Sequence, residues 1–299
     1  MKKTTLFFCS LLLLATVLFT GCGDGQGIVE LTTAAQNVRI FTSSDTMTID
    51  WGDGQTDAYS STNNTLMHSY ADTNSHTIWI KAKRLTILDC SGNPLTALNV
   101  SKNTKLTELY CIASNLTALD VSKNTALMVL KCTGNKLTAL DVSKNTNLIK
   151  LVCLHNQLTA LNMSRNTALT ELVCRNNQLT ALNVSKNTAL IKLDCDKNKL
   201  TALGVSRNTA LTWMSCSDNQ LTALDVSKNT DLSDLFCSAN QLTALDVSKN
   251  TALTWMLCSD NQLTALDVSK NTALTWMLCS DNQLTALDVS KNTALRVLR

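Results

Sequence analysis

The thiol is the most reactive group that this sequence repeats. Ten of its twelve cysteines, Cys90, Cys111, Cys132, Cys153, Cys174, Cys195, Cys216, Cys237, Cys258 and Cys279, each stand 21 residues from the next. Disulfide frameworks have irregular spacings and zinc sites have short C-x-x-C pairs, so this pattern fits neither. A strict period places each cysteine at the same point of a stacked coil, and the thiols then form a column. Neighbours one strand spacing apart and pointing the same way suit packing better than disulfide geometry. A buried free cysteine behaves as a small hydrophobe, so the ten are expected to be buried, reduced and inert. His68, His76 and His155 lack metal-ligand spacing, and each reads as a lone surface histidine; no metal or cofactor is expected. Serines and aspartates recur without a histidine at any repeated position, so no Ser-His-Asp arrangement is in prospect and the chain reads as a non-enzyme.

Two further columns share the period, asparagines from Asn103 to Asn292 and serines from Ser101 to Ser290. Around the cysteines the unit reads L-x-x-L-x-C-x-x-N-x-L, as in "LVCLHNQL", or with Met for the second Leu in "LTWMSCSDNQL". This resembles the leucine-rich repeat, over about residues 85–299. Each 21-mer also holds its own echo, "LTALDVSKNTA", similar to nested bacterial leucine-rich repeats in which units of ten and eleven residues alternate. The fold class expected is mostly β, a solenoid of about ten 21-residue coils with parallel sheets and little helix. One coil would hold two short strands in two facing sheets, with Leu253, Met256, Cys258, Leu263, Leu266 and Val268 inward and Leu257 outward. Asn93, Asn135, Asn156 and their successors to Asn282 fall at the end of the cysteine strand, where an inward amide would bond backbone of adjacent turns. Ser114 takes that place in one coil, which predicts a locally weaker ladder.

The amino terminus has a different composition. Lys2 and Lys3 precede an apolar run from Leu6 to Phe19, then Thr20, Gly21 and Cys22, the order of a secretory signal. Cys22 after Gly21 resembles the lipobox of bacterial lipoproteins, with Phe19 where that family has Leu; the resemblance implies lipidation at Cys22. A simple signal anchor is the alternative, its run slightly short of the roughly 20 residues a bilayer needs. The expected organisation is a signal over 1–21, a tether over 22–27, a short β cap over 28–84 and the solenoid over 85–299. In the cap, Trp51, Gly52, Asp53 and Gly54 followed by His68 and Tyr70 resemble the W-G-D-G and H-x-Y signatures of PKD-type domains. Asp50 and Asp53 there make either a calcium site or a hairpin turn. The cap would cover the first coil, because an open solenoid edge invites association. At the far end "LRVLR" stops in mid-strand, either a truncation or an edge that pairs with a partner.

Removing residues 1–21 takes two of 26 basic and none of 23 acidic residues, and the net charge falls from +3 to +1. No footprint for nucleic acid or an anionic membrane surface remains, so membrane contact would run through the N-terminal lipid alone. The repeat halves differ in constancy. "LTALDVSKN" barely changes and reads as a solvated face, whereas the cysteine half varies at outward positions. One outward column runs Glu108, Val129, Lys150, Glu171, Lys192, Trp213, Asp234, Trp255, Trp276, and beside it lie Tyr110, Lys131, Val152, Val173, Asp194, Ser215, Phe236, Leu257, Leu278. Trp213, Trp255, Trp276, Phe236, Leu257 and Leu278 would make a sizeable exposed apolar patch, and such patches mark contact sites. A duplication that copied one Trp three times is the other reading. The expectation is a lipid-anchored bacterial envelope protein, outer-membrane and either surface-exposed or periplasm-facing, that binds a protein on a host or neighbouring cell. A glycan-binding module using the Trp column and a passive spacer are the alternatives.

Overall fold

In the computed structural model the described residues are 27–44 and 46–299; the expected signal peptide and Cys22 lie outside them. Among the described residues every element is a strand, and no helix is long and apolar enough to cross a membrane.

The first six strands are β1 (Gly27–Thr33), β2 (Asn37–Ser43), β3 (Met47–Asp50), β4 (Thr56–Tyr59), β5 (Asn63–Ser69) and β6 (His76–Ala82). All but β4 alternate buried residues with more accessible ones as a half-buried strand must, most clearly in β6. Two junction strands follow, β7 (Ile87–Asp89) and β8 (Leu95–Asn99). An antiparallel sheet runs β4-β3-β6-β1-β8. The second sheet begins β5-β2-β7 and continues, through parallel pairing to β7, into the repeats. These are β9 (Glu108–Tyr110), β10 (Val129–Lys131), β11 (Lys150–Val152), β12 (Glu171–Val173), β13 (Lys192–Asp194), β14 (Trp213–Ser215), β15 (Asp234–Phe236), β16 (Trp255–Leu257), β17 (Trp276–Leu278) and β18 (Val297–Leu298). Each pairs in parallel with its neighbour at a 21-residue offset, as in Trp255↔Trp276.

The inward set is as the alternation requires. Leu253, Met256, Cys258, Leu263 and Val268 are fully buried and Leu266 is 8% exposed. One core runs from the cap through the solenoid. Burying a large aliphatic side chain stabilises by roughly 1.5–3 kcal/mol, which offsets the ordering entropy of a coil whose strand is only three residues long.

The second sheet expected on the constant half does not form. Only the isolated bridge Asn183↔Gly204 is found there. Side chains have taken the amides that a second ladder would need. Leu158 N–H goes to Asn177 Oδ1 at 3.0 Å, and Ser143 N–H goes to Asp141 Oδ1 at 2.8 Å, leaving one inter-coil backbone bond, Gln178 N–H to Leu158 O at 2.9 Å. Two β-turns then return the chain, Asn145 N–H to Val142 O and Leu148 N–H to Asn145 O, at 3.0 and 3.1 Å.

Two asparagine ladders knit the coils. In the first, Asn156 Nδ2 donates to Cys132 O and Cys153 O at 3.0 and 3.1 Å while its Oδ1 accepts Leu137 N–H. Its first rung ties the cap to the repeats, because Asn93 exchanges both bonds with the Arg39 backbone of β2. At Ser114 the rung is a hydroxyl bond to Cys90 O of 3.4 Å, longer than the inter-coil amide bonds of the other rungs. The second ladder is the Asn103 column, whose role the sequence reading did not assign. Asn145 Nδ2 bonds Val121 O and Asn124 O, both at 2.9 Å.

Candidate functional site

Strand alternation sends positions one and three of each repeat strand outward, and parallel register stacks them at about 4.8 Å. From β9 to β13 this face mixes Val129, Val152 and Val173 with charged residues that pair among themselves. Lys150 Nζ lies 2.5 Å from Glu171, Lys192 approaches the same carboxylate at 4.0 Å, and the Tyr110 hydroxyl bonds Glu108. From β14 onward it is aromatic. The Trp213 and Phe236 centroids are 5.4 Å apart, Phe236 and Trp255 6.5 Å, and Trp255 and Trp276 5.8 Å, all in edge or tilted geometry. Such pairs are favourable beyond their area burial. Trp255 and Trp276 are nonetheless 47% and 39% exposed, while Trp213, Phe236, Leu257 and Leu278 are half-buried. The structure therefore gathers all six residues singled out in the sequence into one strip. Lys192 Nζ closes its inner end, 4.8 Å above the Trp213 ring.

Beside the strip lies a carboxylate pocket that sequence reasoning missed. Asp196 Oδ1 accepts the Ser215 hydroxyl at 2.5 Å and Ser217 N–H at 2.7 Å. Burial pushes Asp196 up to about 6, and neighbouring Asp194, itself buried and raised, adds to it. Arg175 lowers both. The available signal was a departure within a column, since Arg175 and Asp196 stand where Ser217, Ser238, Ser259 and Ser280 stand later.

The ten thiols are free and buried. Burial pushes Cys90 and Cys132 up to about 12, so neither offers a thiolate near neutral pH. Cys279, 8% exposed just after β17, is the least enclosed.

Two histidines are not lone surface groups, which corrects the expectation. Trp51, His68, Tyr70 and His76 form one ring cluster with successive centroids 4.6, 4.6 and 3.9 Å apart, the first and last pairs stacked and the middle pair edge to face. His68 and His76 each bond a carboxylate, Asp53 and Asp72, at 2.8 Å. Tyr70 donates to Trp51 O at 2.7 Å, and its phenol is raised to about 12, first by burial. They fold together because antiparallel β5, the β5–β6 connection and the W-G-D-G turn converge, although 25 residues separate Trp51 from His76. Asp50 and Asp53 accept the Gly52 and Gln55 amides at 2.9 and 3.0 Å and so hold the hairpin turn. Gly52 is required there, since a Cβ would lie 2.3 Å from Thr77 O and its φ is +79°. Among the described residues no three His, Cys, Asp or Glu side chains converge as metal ligands. His155 stays exposed, in contact with Asn176 of the next coil.

No protein-family model and no curated protein matches the chain. Solved structures do. The functional domain of InlJ from Listeria monocytogenes, described as including a cysteine ladder, is 47% identical with a TM-score of 0.71, over 72% of this chain and 48% of that one. The fold is a leucine-rich-repeat solenoid. YopM from Yersinia enterocolitica is 26% identical with a TM-score of 0.58, over 71% of this chain and 46% of that one. TLR13, solved in complex with ssRNA13, shares the fold at 21% identity and a TM-score of 0.52, over 66% of this chain and 33% of its own. The chain thus spans about half the length of the InlJ structure that it matches.

Proposed function

We propose that this protein is a non-catalytic cell-envelope lipoprotein, anchored through Cys22, whose solenoid presents the β14–β17 face to a protein ligand on a host or neighbouring cell. The observation that carries the reading is the continuous ring strip from Trp213 through Phe236 and Trp255 to Trp276, with two indoles left open to solvent on a rigid parallel sheet. Exposed apolar patches of this kind mark contact sites, and Trp is enriched among residues that dominate binding energy. Leu257 and Leu278 extend the patch beside the rings, and Lys192 gives it a polar rim.

The experiment compares Trp255→Ala with Trp276→Ala against Lys249→Ala with Lys270→Ala, using ligands captured on protein and glycan arrays. The Trp pair should leave folding intact and weaken protein-ligand affinity by about 2 kcal/mol or more, with the Lys pair near neutral. Equal losses would mean a charge-driven interaction, and a loss by the Trp pair confined to glycan binding would mean that the indoles stack on sugar rings. For the anchor, Cys22→Ala should move the protein from the membrane fraction to the soluble one; unchanged retention would sink it.

A further inference from the structure

The constant half of the repeat contains one local exception. The residue two before the column serine is Asp120, Asp141, Asp225, Asp246, Asp267 and Asp288 in six coils, but Asn162, Asn183 and Gly204 in three consecutive ones. The basic column three residues on continues through them as Arg165, Lys186 and Arg207. In the Asp coils the serine amide and hydroxyl, and after them the lysine, lower the carboxyl, so each cation has a facing counter-charge. Arg165, Lys186 and Arg207 have no carboxylate at that position of their coils, and all three are exposed. Asn99 also departs from Asp, but there β8 is covered by β1, with Glu30 opposite.

Folding does not account for the exception. Asn162 and Asn183 keep the capping bond that the aspartates make, Oδ1 accepting the serine amide at 3.0 Å. The substitution therefore changes only the outer atom, from anionic oxygen to an N–H₂ donor. Gly204 has no left-handed φ, and a Cβ there would meet nothing within 4 Å, so the backbone does not need glycine. What its missing side chain does is open space. Two adjoining concavities lie here, of about 450 Å³ lined by Asn183, Ser185, Gly204, Ser206 and Arg207, and of about 280 Å³ lined by Asn162, Ser164, Asn183 and Lys186.

We propose that this trough binds a linear acidic glycan running along the solenoid axis. Three cations one coil apart, about 4.8 Å, meet successive anionic groups of the chain, while the Asn amides and serine hydroxyls meet its sugar hydroxyls. The trough is lined by Ala, Leu, Asn, Ser, Gly and cations, without the aromatic platform on which single-stranded nucleic acid stacks. Carboxylate and sulfate ester groups share this recognition chemistry, and the test separates them.

The full chain is titrated at low and physiological salt with polygalacturonate, dextran sulfate, neutral dextran and a single-stranded oligodeoxynucleotide. Binding to one or both acidic glycans, weakened by salt, is expected, and neutral dextran should not bind. Preference for polygalacturonate identifies carboxylates and preference for dextran sulfate identifies sulfate esters. The triple variant Asn162→Asp, Asn183→Asp, Gly204→Asp restores the common repeat, so it should keep the melting temperature yet lose at least tenfold in affinity. A control with the same added charge, Gln220→Asp, Gln241→Asp, Gln262→Asp, should lose threefold or less. No binding to either acidic glycan, equal loss in the two triples, or tighter binding to the oligodeoxynucleotide would overturn the proposal. Trp255→Ala should not change this binding, which keeps it separate from recognition at the aromatic strip.

Discussion

Asp196 carries a charge that the folded chain holds at a cost. Its carboxyl is lifted from 3.8 to about 6 by burial, with Asp194 adding to the burden and the Ser215 hydroxyl relieving part of it. Between about pH 4 and 6 the folded chain therefore keeps a proton that the unfolded chain has released, and stability falls as pH rises through that window. Asp196→Asn keeps an oxygen to accept from Ser215 and Ser217 and removes the titration. It should stabilise the protein by about 1–2 kcal/mol at pH 7.5, have little effect near pH 3, and flatten the decline between. Urea unfolding across pH measures this, and an equal gain at pH 3 would show that charge burial is not the cause. Reading the site from sequence would have required seeing Asp196, Ser215 and Ser217 as neighbours, although they are 19 to 21 residues apart.

At the scale of the coil, most of what repeats was legible. The 21-residue step, the six inward side chains and the Met256-in, Leu257-out alternation follow from period-two strand geometry, and the structure carries all of them. The second sheet was not legible, because "LTALDVSKN" has strand-like alternation while its amides are taken by Asn177 in one place and Asp141 in another. Nor was the left-handed residue two after each repeat cysteine, since Gly92 and Gly134 share that position with Ala113, His155, Lys197 and Asp260. The turn forces the conformation on whatever stands there, at a cost of roughly 1–2 kcal/mol for a residue with a Cβ. The first Asn ladder was legible, and it makes a prediction about the thiols it encloses. Maleimide should label the native protein slowly, Cys279 first among the repeat cysteines, and denaturation should expose all ten. Asn156→Ala, which strips a donor from Cys132 O and Cys153 O, should cost roughly 1–3 kcal/mol and speed labelling at those two cysteines. Fast labelling of Cys153 in the unmodified protein would mean that the column is open to solvent.

For the whole molecule the question is how far a disturbance travels. A solenoid approximates a one-dimensional array in which each coil contacts only its neighbours, but here the cap is built into the array. β2 pairs with β7 on one side, β1 with β8 on the other, and Asn93 bonds the β2 backbone across the junction. Leu88, fully buried in β7, sits where the two meet. Leu88→Ala should cost about 2–5 kcal/mol, and because the core is continuous the loss should be shared between cap and first coils. Hydrogen exchange measures it by region. Protection should fall together in β1–β6 and in β9–β10, while β14–β16, five or more coils away, should change less. If β1–β6 lost protection and β9–β10 kept it, the cap would be a separate cooperative unit docked on the repeats, and the shared sheet would not couple them.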